Sequence, residues 1–377
     1  MNIPEEQAKN GISFVGFNQN QTCLAVGSNA GFYIWRAFPF GKCFGGMHEG
    51  SIKIVEMLFS TSLVAIVGSG DQPEFSSRKL HLWNTKSGTS ICDLTFLSPI
   101  QGVKMNQQRL VVVLENKIHV YNLERVEVIY SLDIIDDGPH VGPEGAPPPR
   151  PLIPGLAALC PSTNYLAYPC STTRGAVMLV DTSPPPTPGP AAPASATPSA
   201  TAAGVAATQP SPPRKSTIIA HENPVVALCF NQQGNMLATA SAKGTCIRVW
   251  SIPEGAQIAE FRRSSHKRAH IYSLCFSLDS SLLAATADSG TVHIFAMEGR
   301  SSGAKAFAYC RLKQAQPSIA SFSPDNQYVH VAVAEGLFQR WRLPPVHNSG
   351  SKKDCTFEEY YSLSERVDEP PRQAPPS

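Results

Sequence analysis

The chain has 377 residues, with 31 Lys plus Arg, 29 Asp plus Glu, 42% apolar residues and ten cysteines. The net charge of +2 excludes a protein that coats nucleic acid through overall basicity, and the apolar fraction is ample for a folded core. The first residues, MNIPEEQAKNG, have no basic region followed by an apolar one, so we expect no secretory signal. No apolar stretch approaches the roughly 20 residues that a membrane-spanning helix needs. The cysteines include no C-x-x-C pair and fall mostly in apolar runs, so we expect reduced thiols in a cytoplasmic protein.

One short pattern recurs along the chain, in which an apolar–x–apolar–aromatic run follows a turn residue. Its seven copies, of which the fourth lacks the aromatic, are 32–35 (FYIW), 80–83 (LHLW), 118–121 (IHVY), 177–180 (VMLV), 247–250 (IRVW), 292–295 (VHIF) and 338–341 (FQRW). Further apolar runs of strand length, such as CLAVGS and LVAIVGS, precede most copies. Such runs, separated by Gly, Asn, Asp and Ser, predict antiparallel hairpins. Seven units mostly about 40–50 residues apart predict an all-β fold, a WD40-like seven-bladed β-propeller.

Composition changes at three places in this repeat. Residues 182–213 contain ten prolines and no charged residue, which predicts a disordered Pro/Ala-rich insertion in blade four, acting as a passive loop or as a docking segment. A second Pro-rich stretch, 138–154, links blades three and four. The propeller itself is predicted to span 10–364, and 365–377 to form a flexible C-terminal tail.

The sequence carries none of the common catalytic, nucleotide-binding or zinc-protease motifs. His48, His221 and His270 each open a strand region at the start of a blade, where such a residue commonly braces a turn by hydrogen bonding. We therefore predict no enzyme activity, no cofactor and no metal site.

Residues 261–270 (FRRSSHKRAH) form the one dense basic cluster, with four Lys or Arg and two His. An Arg guanidinium offers a planar fork of donors that suits phosphate. If 260–263 is the outer strand of blade five, Arg262 and Arg263 must point to opposite sides and face different grooves. The alternative is a solvated strand edge whose charges discourage edge pairing. Nucleic acid is disfavoured as a partner, because only Phe261 and Tyr272 offer aromatic rings for base stacking near the cluster.

From about residue 11 to about residue 343 the sequence resembles the PROPPINs, seven-bladed propellers that bind phosphoinositides and act in autophagy. The most specific stretches are LATASAKGTCIRVWSIPEGAQIAEFRR and DSGTVHIFAMEG. The family motif Phe/Leu-Arg-Arg-Gly between blades five and six is similar to FRRS at 261–264. Blade one (GFNQNQTCLAVGSNAGFYIW) and blade three (RLVVVLENKIHVYNLE) also resemble the family.

The resemblance implies two phosphoinositide sites on the propeller rim. The residues that match the first are His221, Thr239, Ser241, Gly244, Thr245, Arg248 and Arg262. Those that match the second are Arg263, Thr291 and His293, and Ser264 and His266 are placed beside them.

The implied ligands are phosphatidylinositol 3-phosphate and phosphatidylinositol 3,5-bisphosphate. The implied role is that of a monomeric effector, recruited peripherally to pre-autophagosomal, endosomal or vacuolar membranes. There it would recruit autophagy proteins, such as a lipid-transfer partner. A WD-repeat scaffold that has lost lipid binding is the alternative.

Three departures from the family motif affect this expectation. Ser264 replaces the motif glycine and would be strained if the backbone there needs a positive φ. Ala287 stands where the family has Ser or Thr. The connector after Met297, about 298–305, is short, with Arg300 and Lys305 as its basic residues. We therefore expect membrane binding that is weaker than is usual in the family and more sensitive to salt.

Overall fold

The computed structural model describes residues 1–3, 11–45, 50–134, 153–183, 212–298, 303–345, 353–363 and 372–373. These residues form strands arranged in seven sheets, and contain no helix that could cross a membrane. Each sheet is one blade, so the predicted all-β, seven-bladed β-propeller is confirmed. Every copy of the recurring pattern lies in the third strand of its blade.

Blades one to four each contain four antiparallel strands that are consecutive in sequence. Blade one consists of β1 (Ile12–Phe17), β2 (Cys23–Ser28), β3 (Gly31–Arg36) and β4 (Gly41–Gly45), and blade two of β5 (Ile52–Met57), β6 (Leu63–Gly68), β7 (Lys79–Asn84) and β8 (Thr89–Thr95). Blade three consists of β9 (Gly102–Met105), β10 (Arg109–Val113), β11 (Lys117–Asn122) and β12 (Glu127–Asp133), and blade four of β13 (Ala158–Leu159), β14 (Tyr165–Pro169), β15 (Gly175–Asp181) and β16 (Arg214–His221).

Blades five to seven each carry a fifth strand on the outer edge. Blade five consists of β17 (Val225–Phe230), β18 (Met236–Ser241), β19 (Cys246–Ser251), β20 (Gln257–Arg262) and, at the edge, β24 (Ala304–Lys305). Blade six consists of β21 (Ile271–Phe276), β22 (Leu282–Ala287), β23 (Thr291–Ala296), β25 (Ala308–Arg311) and, at the edge, β29 (Lys353–Asp354). Blade seven consists of β26 (Ser318–Phe322), β27 (Tyr328–Val333), β28 (Leu337–Arg342), β30 (Thr356–Ser362) and, at the edge, β31 (Arg372–Gln373).

The segments with unusual composition fall at the margins of these sheets. Strands β15 and β16 pair directly, with Asp181 opposite Arg214, so the predicted insertion joins two neighbouring strands of blade four. Residues 184–211 of this insertion and residues 135–152 of the second Pro-rich stretch lie outside the described residues. Within the predicted tail, 372–373 forms β31 against β30, and the remaining residues of the tail are likewise not described.

Burial follows the position of a strand within its blade. All six residues of β18, a second strand, are buried, because its two faces pack against the blades on either side. The outer strand β8 instead contains only exposed and partly buried residues, because it lies at the solvent-facing edge of its blade. This difference explains why the inner strands appear in the sequence as continuous apolar runs and the outer strands do not.

Two glutamines in the turn between β1 and β2 connect blade one to four other blades. The side-chain amide of Gln19 donates to the carbonyl oxygens of Met57 at 2.6 Å and Met105 at 2.9 Å, in blades two and three. The amide of Gln21 donates to the carbonyl of Phe276 in blade six at 2.8 Å, and its oxygen accepts the Phe322 N–H of blade seven at 2.7 Å. This one turn therefore hydrogen-bonds to two blades on each side of blade one in the ring.

Aromatic rings fill the seam between blades one and seven. Phe40 of blade one stacks on Tyr361 and Phe338 of blade seven, with ring centroids 4.3 Å and 4.9 Å apart. Ile12 and Ile319 belong to the same apolar cluster. Because each blade takes its four main strands from one stretch of sequence, these side-chain contacts join the first and last blades, and no described strand is shared between them.

We expect Gln21→Ala to lower the free energy of unfolding by about 1–3 kcal/mol, because it leaves the Phe322 N–H without its acceptor. Urea unfolding monitored by tryptophan fluorescence measures this change. The matched control is Gln107→Ala, which removes an exposed glutamine from the corresponding turn of blade three. Equal stability of the two variants would contradict the role assigned to Gln21.

Candidate functional site

A cleft of about 390 Å³ lies on the propeller rim, where the outer strand of blade five meets blade six. Its lining consists of Arg262, Arg263, Ser264, Ser265, His266, Lys267, Lys305 and Tyr309. Four of these residues are Lys or Arg and none is acidic, so the cleft attracts anions. The volume lies in the range of ordinary small-ligand pockets.

Strand β20 presents the basic cluster because an aromatic anchor fixes its orientation. Phe261 is buried and packs against Phe295 of blade six, with ring centroids 5.0 Å apart. Alternation along the strand then turns Arg262 to the opposite side, where it is exposed. The sequence predicted separate grooves for the two arginines, but Arg262 and Arg263 both line this one cleft.

Arg263 braces the turn that follows β20. Its Nε donates to the carbonyl oxygen of Gly244 at 2.7 Å, and its Nη2 donates to that of Lys267 at 2.5 Å. Burial lowers the pKa of Arg263, but a guanidinium remains charged at neutral pH. Since it has five N–H donors, the side chain keeps further donors for a ligand.

Ser264 fits this turn without the expected strain. Its φ is not among the positive values found in the described residues, so the Cβ is accommodated. Its hydroxyl oxygen accepts the backbone N–H of Lys267 at 3.0 Å. The replacement of the motif glycine therefore stabilises the 264–267 turn that lines the cleft.

The turn between β18 and β19 supports the cleft from behind. Gly244 has a φ of +62°, and a Cβ added there would lie 1.8 Å from the carbonyl oxygen of Ala269, so only glycine fits. The carbonyl oxygen of Thr245 accepts the backbone N–H groups of Arg263 at 2.9 Å and Ser264 at 3.3 Å. Ser241 and Thr245, both predicted site residues, are buried, and neither lines the cleft.

His221 and Thr239 form a hydrogen-bonded network that links the last residue of β16, in blade four, to β18 and β19 of blade five. The Thr239 hydroxyl lies 3.0 Å from Nε2 of His221 and accepts a hydrogen bond from Nε1 of Trp250, also at 3.0 Å. The sequence predicts that His221 braces a turn at the start of a blade. In the structure it ends β16 of blade four and bonds to Thr239 in the middle of β18, while His270 is exposed and His48 lies outside the described residues. Neither His221 nor Thr239 lines the cleft, because both are buried.

Arg248, also predicted as a ligand, bonds within blade five and to the last strand of blade four. Its Nε donates to Glu260 Oε2 at 2.9 Å and its Nη1 donates to the carbonyl oxygen of Ala220 at 2.8 Å. Because Arg248 and Glu260 lie opposite each other on β19 and β20, the ion pair supports the register that places Arg262 at the rim.

Of the residues predicted for the second site, some line the cleft, whereas others lie behind it or away from it. His266 is exposed and lines the cleft together with Ser264 and Arg263. His293 is buried behind the cleft wall, with its ring 5.0 Å from that of Tyr309 in an edge-to-face arrangement. Thr291 lies at the start of β23, opposite Arg311, and does not line the cleft.

Sequence reasoning missed four contributors to the lining: Ser265, Lys267, Tyr309 and Lys305. Lys267 lies in the recognised basic cluster, so its proximity could have been anticipated. Lys305 comes from the connector after β23, which pairs with β20 of the preceding blade. A parallel contact of two residues leaves no periodic pattern in the sequence that could have revealed it.

These features define the chain as a seven-bladed propeller with an anion-attracting cleft on its rim. The sequence model of the PROPPIN family matches residues 11–197 and 191–308. The chain belongs to the PROPPIN family.

Named relatives agree with this assignment. Autophagy-related protein 18 of Dictyostelium discoideum is 38% identical over 309 residues, covering 82% of this chain and 70% of that protein. The protein of the same name from Yarrowia lipolytica is 38% identical over 293 residues, covering 76% of this chain. This chain spans 66% of the length of the Yarrowia protein.

Solved structures show the same fold. Kluyveromyces lactis Hsv2 aligns with a TM-score of 0.70 at 19% identity, covering 94% of this chain and 100% of that chain. KlAtg21, solved in complex with the coiled-coil of AgAtg16, aligns with a TM-score of 0.69 at 26% identity and the same coverage.

Lowering the pH from 7 to 5 is expected to reduce the free energy of unfolding, because two buried histidines resist protonation. Burial is the main cause, and it lowers the pKa of both His221 and His330 to about 4. The positive charge of Arg248 adds to the effect at His221, and that of Arg340 adds to it at His330. Between pH 6.5 and 4 the unfolded chain binds protons that the folded chain does not, so stability falls as pH falls. Each histidine contributes about 2 kcal/mol of this loss at pH 5.

Urea unfolding at the two pH values measures this loss, with His330→Phe as the comparison. The variant keeps a buried ring at this position and should lose about half as much stability as the native chain. An equal loss in the two proteins would contradict the assignment.

Proposed function

We propose that this protein is a phosphoinositide-binding effector of autophagy that uses the rim cleft to bind phosphatidylinositol 3-phosphate or the 3,5-bisphosphate. The observation that carries the proposal is the lining of the cleft, in which four cationic residues converge without an acidic one. Membership of the PROPPIN family supports the assignment.

Two arginines provide complementary ways of binding a phosphate. Arg262 is exposed and its guanidinium has no hydrogen-bond partner among the described residues, so the whole group is available for a bidentate contact. Arg263 is held in place by two backbone carbonyls and offers its remaining donors with little loss of side-chain entropy. His266 and Lys267 add donors at the opening of the cleft.

The other predicted ligands support this strand from behind the rim. We assign His221, Thr239 and Arg248 to holding β18, β19 and β20 together and to joining them to β16 of blade four, since their polar atoms already bond to Trp250, Glu260 and Ala220. Ser241, Gly244 and Thr245 shape the turn behind Arg263, and His293 supports Tyr309, while Thr291 lies at the start of β23 and does not line the cleft. The two sites implied by the family resemblance would thus share one cleft entrance, lined by both arginines.

Membrane attachment through this cleft would be mainly electrostatic. The short connector after β23 offers little apolar area for insertion, whereas each exposed cation near an anionic surface contributes about 1 kcal/mol. Such attachment weakens as salt screens the charges. We propose peripheral recruitment to autophagic, endosomal or vacuolar membranes on this basis.

Autophagy proteins are the proposed partners at surfaces away from the cleft. Support comes from KlAtg21, a structural neighbour whose solved complex contains the coiled-coil of AgAtg16. A lipid-transfer partner fits the same role of bringing autophagy machinery to a marked membrane. We propose that the protein acts by binding alone, without catalysis, and as a monomer.

Liposome sedimentation tests the lipid-binding proposal. Phosphatidylcholine vesicles with and without 5 mol% phosphatidylinositol 3-phosphate are compared at about 0.1 M and 0.5 M salt, a range over which exposed charges become screened. The variant Arg262→Thr plus Arg263→Thr should bind at least about tenfold more weakly, since two charge-assisted contacts are lost.

The matched control removes two exposed charges from the outer strand of blade four, as Arg214→Thr plus Lys215→Thr. It should bind within about twofold of the native chain if contacts at the cleft, rather than net charge, determine binding. The single variant Arg262→Thr keeps the test informative if the double variant fails to fold, because the Arg262 guanidinium bonds to no described residue. A folded native chain without lipid-dependent binding would contradict the proposal and leave the scaffold alternative.

A further inference from the structure

The connector between β23 and β25 of blade six crosses to blade five and pairs with its edge. Gly303 donates its backbone N–H to the carbonyl oxygen of Glu260 at 2.9 Å, and β24 then runs parallel to β20. Ala304 lies opposite Phe261, and Lys305 lies opposite Arg262. The next residues return to blade six, where the Phe307 N–H donates to the carbonyl oxygen of Ile294 at 2.9 Å.

This pairing places two positive side chains next to each other. Paired residues on neighbouring strands lie about 5 Å apart and project from the same face of the sheet. Neither Arg262 nor Lys305 forms a salt bridge within the described part of the chain, although both line the cleft. Like charges directly opposite each other destabilise a strand pair, so this pairing is unfavourable until an anion lies between them.

We propose that Arg262 and Lys305 together bind one phosphate group, and that this phosphate stabilises the docked position of the connector on blade five. The inference rests on the proposed function, because it names a further ligand of the same cleft. Arg262 supplies a planar fork of donors and Lys305 a compact charge from the neighbouring strand. The shared chemistry is that of a phosphate monoester, on a lipid headgroup or free in solution.

Strand pairing makes Lys305 a preorganised ligand. A lysine on an unpaired loop loses the freedom of both backbone and side chain on binding, whereas β24 has already fixed the backbone. Docking of the connector and binding of phosphate are thermodynamically linked. If phosphate favours the docked connector by a given factor, the docked form binds phosphate more tightly than the undocked form by the same factor. The connector is thus a part of the binding site whose position depends on the ligand.

The test measures the affinity of the full chain for short-chain dibutanoyl phosphatidylinositol 3-phosphate, for inorganic phosphate and for vesicles with the long-chain lipid. Lys305→Ala should weaken binding of the short-chain lipid about tenfold, as expected for one charge-assisted hydrogen bond. Lys313→Ala removes an exposed lysine that does not line the cleft and should change the affinity less than twofold.

A second variant separates the role of the strand from that of the charge. Gly303→Pro keeps Lys305 but removes the N–H that bonds to Glu260, and proline cannot adopt the φ of +80° found there. It should weaken binding by a factor similar to that of Lys305→Ala, with thermal melting confirming that the propeller is folded. Native affinity in Gly303→Pro would overturn the role of the docked strand.

The results distinguish a failure of this inference from a failure of the proposed function. Native affinity in Lys305→Ala, together with tight lipid binding by the native chain, overturns this inference and leaves the proposed function intact. Absence of binding by the native chain to any probe overturns both. Inorganic phosphate that binds as tightly as the short-chain lipid, with a loss in Lys305→Ala, supports the paired ligand but assigns it to free phosphate.

Discussion

Closure of the propeller ring is the constraint on which the rest of the structure depends, and side chains provide it. Each blade takes its four main strands from one stretch of sequence, and none of the described strands is shared between the first and last blades. Gln21 hydrogen-bonds to blades six and seven, while Phe40 stacks on Tyr361 across the seam. Because every blade packs between two neighbours, a closed ring fixes the angle between blades five and six, and with it the width of the rim cleft.

A second feature of the fold concerns the outer edges of blades five to seven. Each is covered by a short strand from a segment that follows the blade in sequence, β24, β29 or β31. Such cover satisfies backbone groups that would otherwise form an open edge. On blade five the covering strand also carries Lys305 to Arg262, so the element that protects the edge supplies charge to the cleft. In this way the architecture of the blade and the proposed binding chemistry are linked.

Periodicity explains which features were predictable from the sequence. The seven apolar–aromatic runs follow from a pattern that recurs in every blade, and the burial of Phe261 beside the exposed Arg262 follows from the alternation of side chains along a strand. The pairing of Lys305 with Arg262, the two ring-spanning glutamines and the relaxed backbone at Ser264 follow from contacts between distant segments, which leave no local signal. The predicted ligands Thr239 and Arg248 illustrate the same limit, since only the folded blade shows that their polar atoms are already bonded.

Hydrogen exchange followed by mass spectrometry is the most direct measurement of the central claim that the cleft and its covering strand form one phosphate site. The full chain is compared with and without a saturating amount of dibutanoyl phosphatidylinositol 3-phosphate. The account predicts slower exchange both in the turn at 262–267 and in the connector at 303–307, with no change in the turn that holds Gln19 and Gln21. Protection confined to a distant blade, or protection of the turn without the connector, would contradict it.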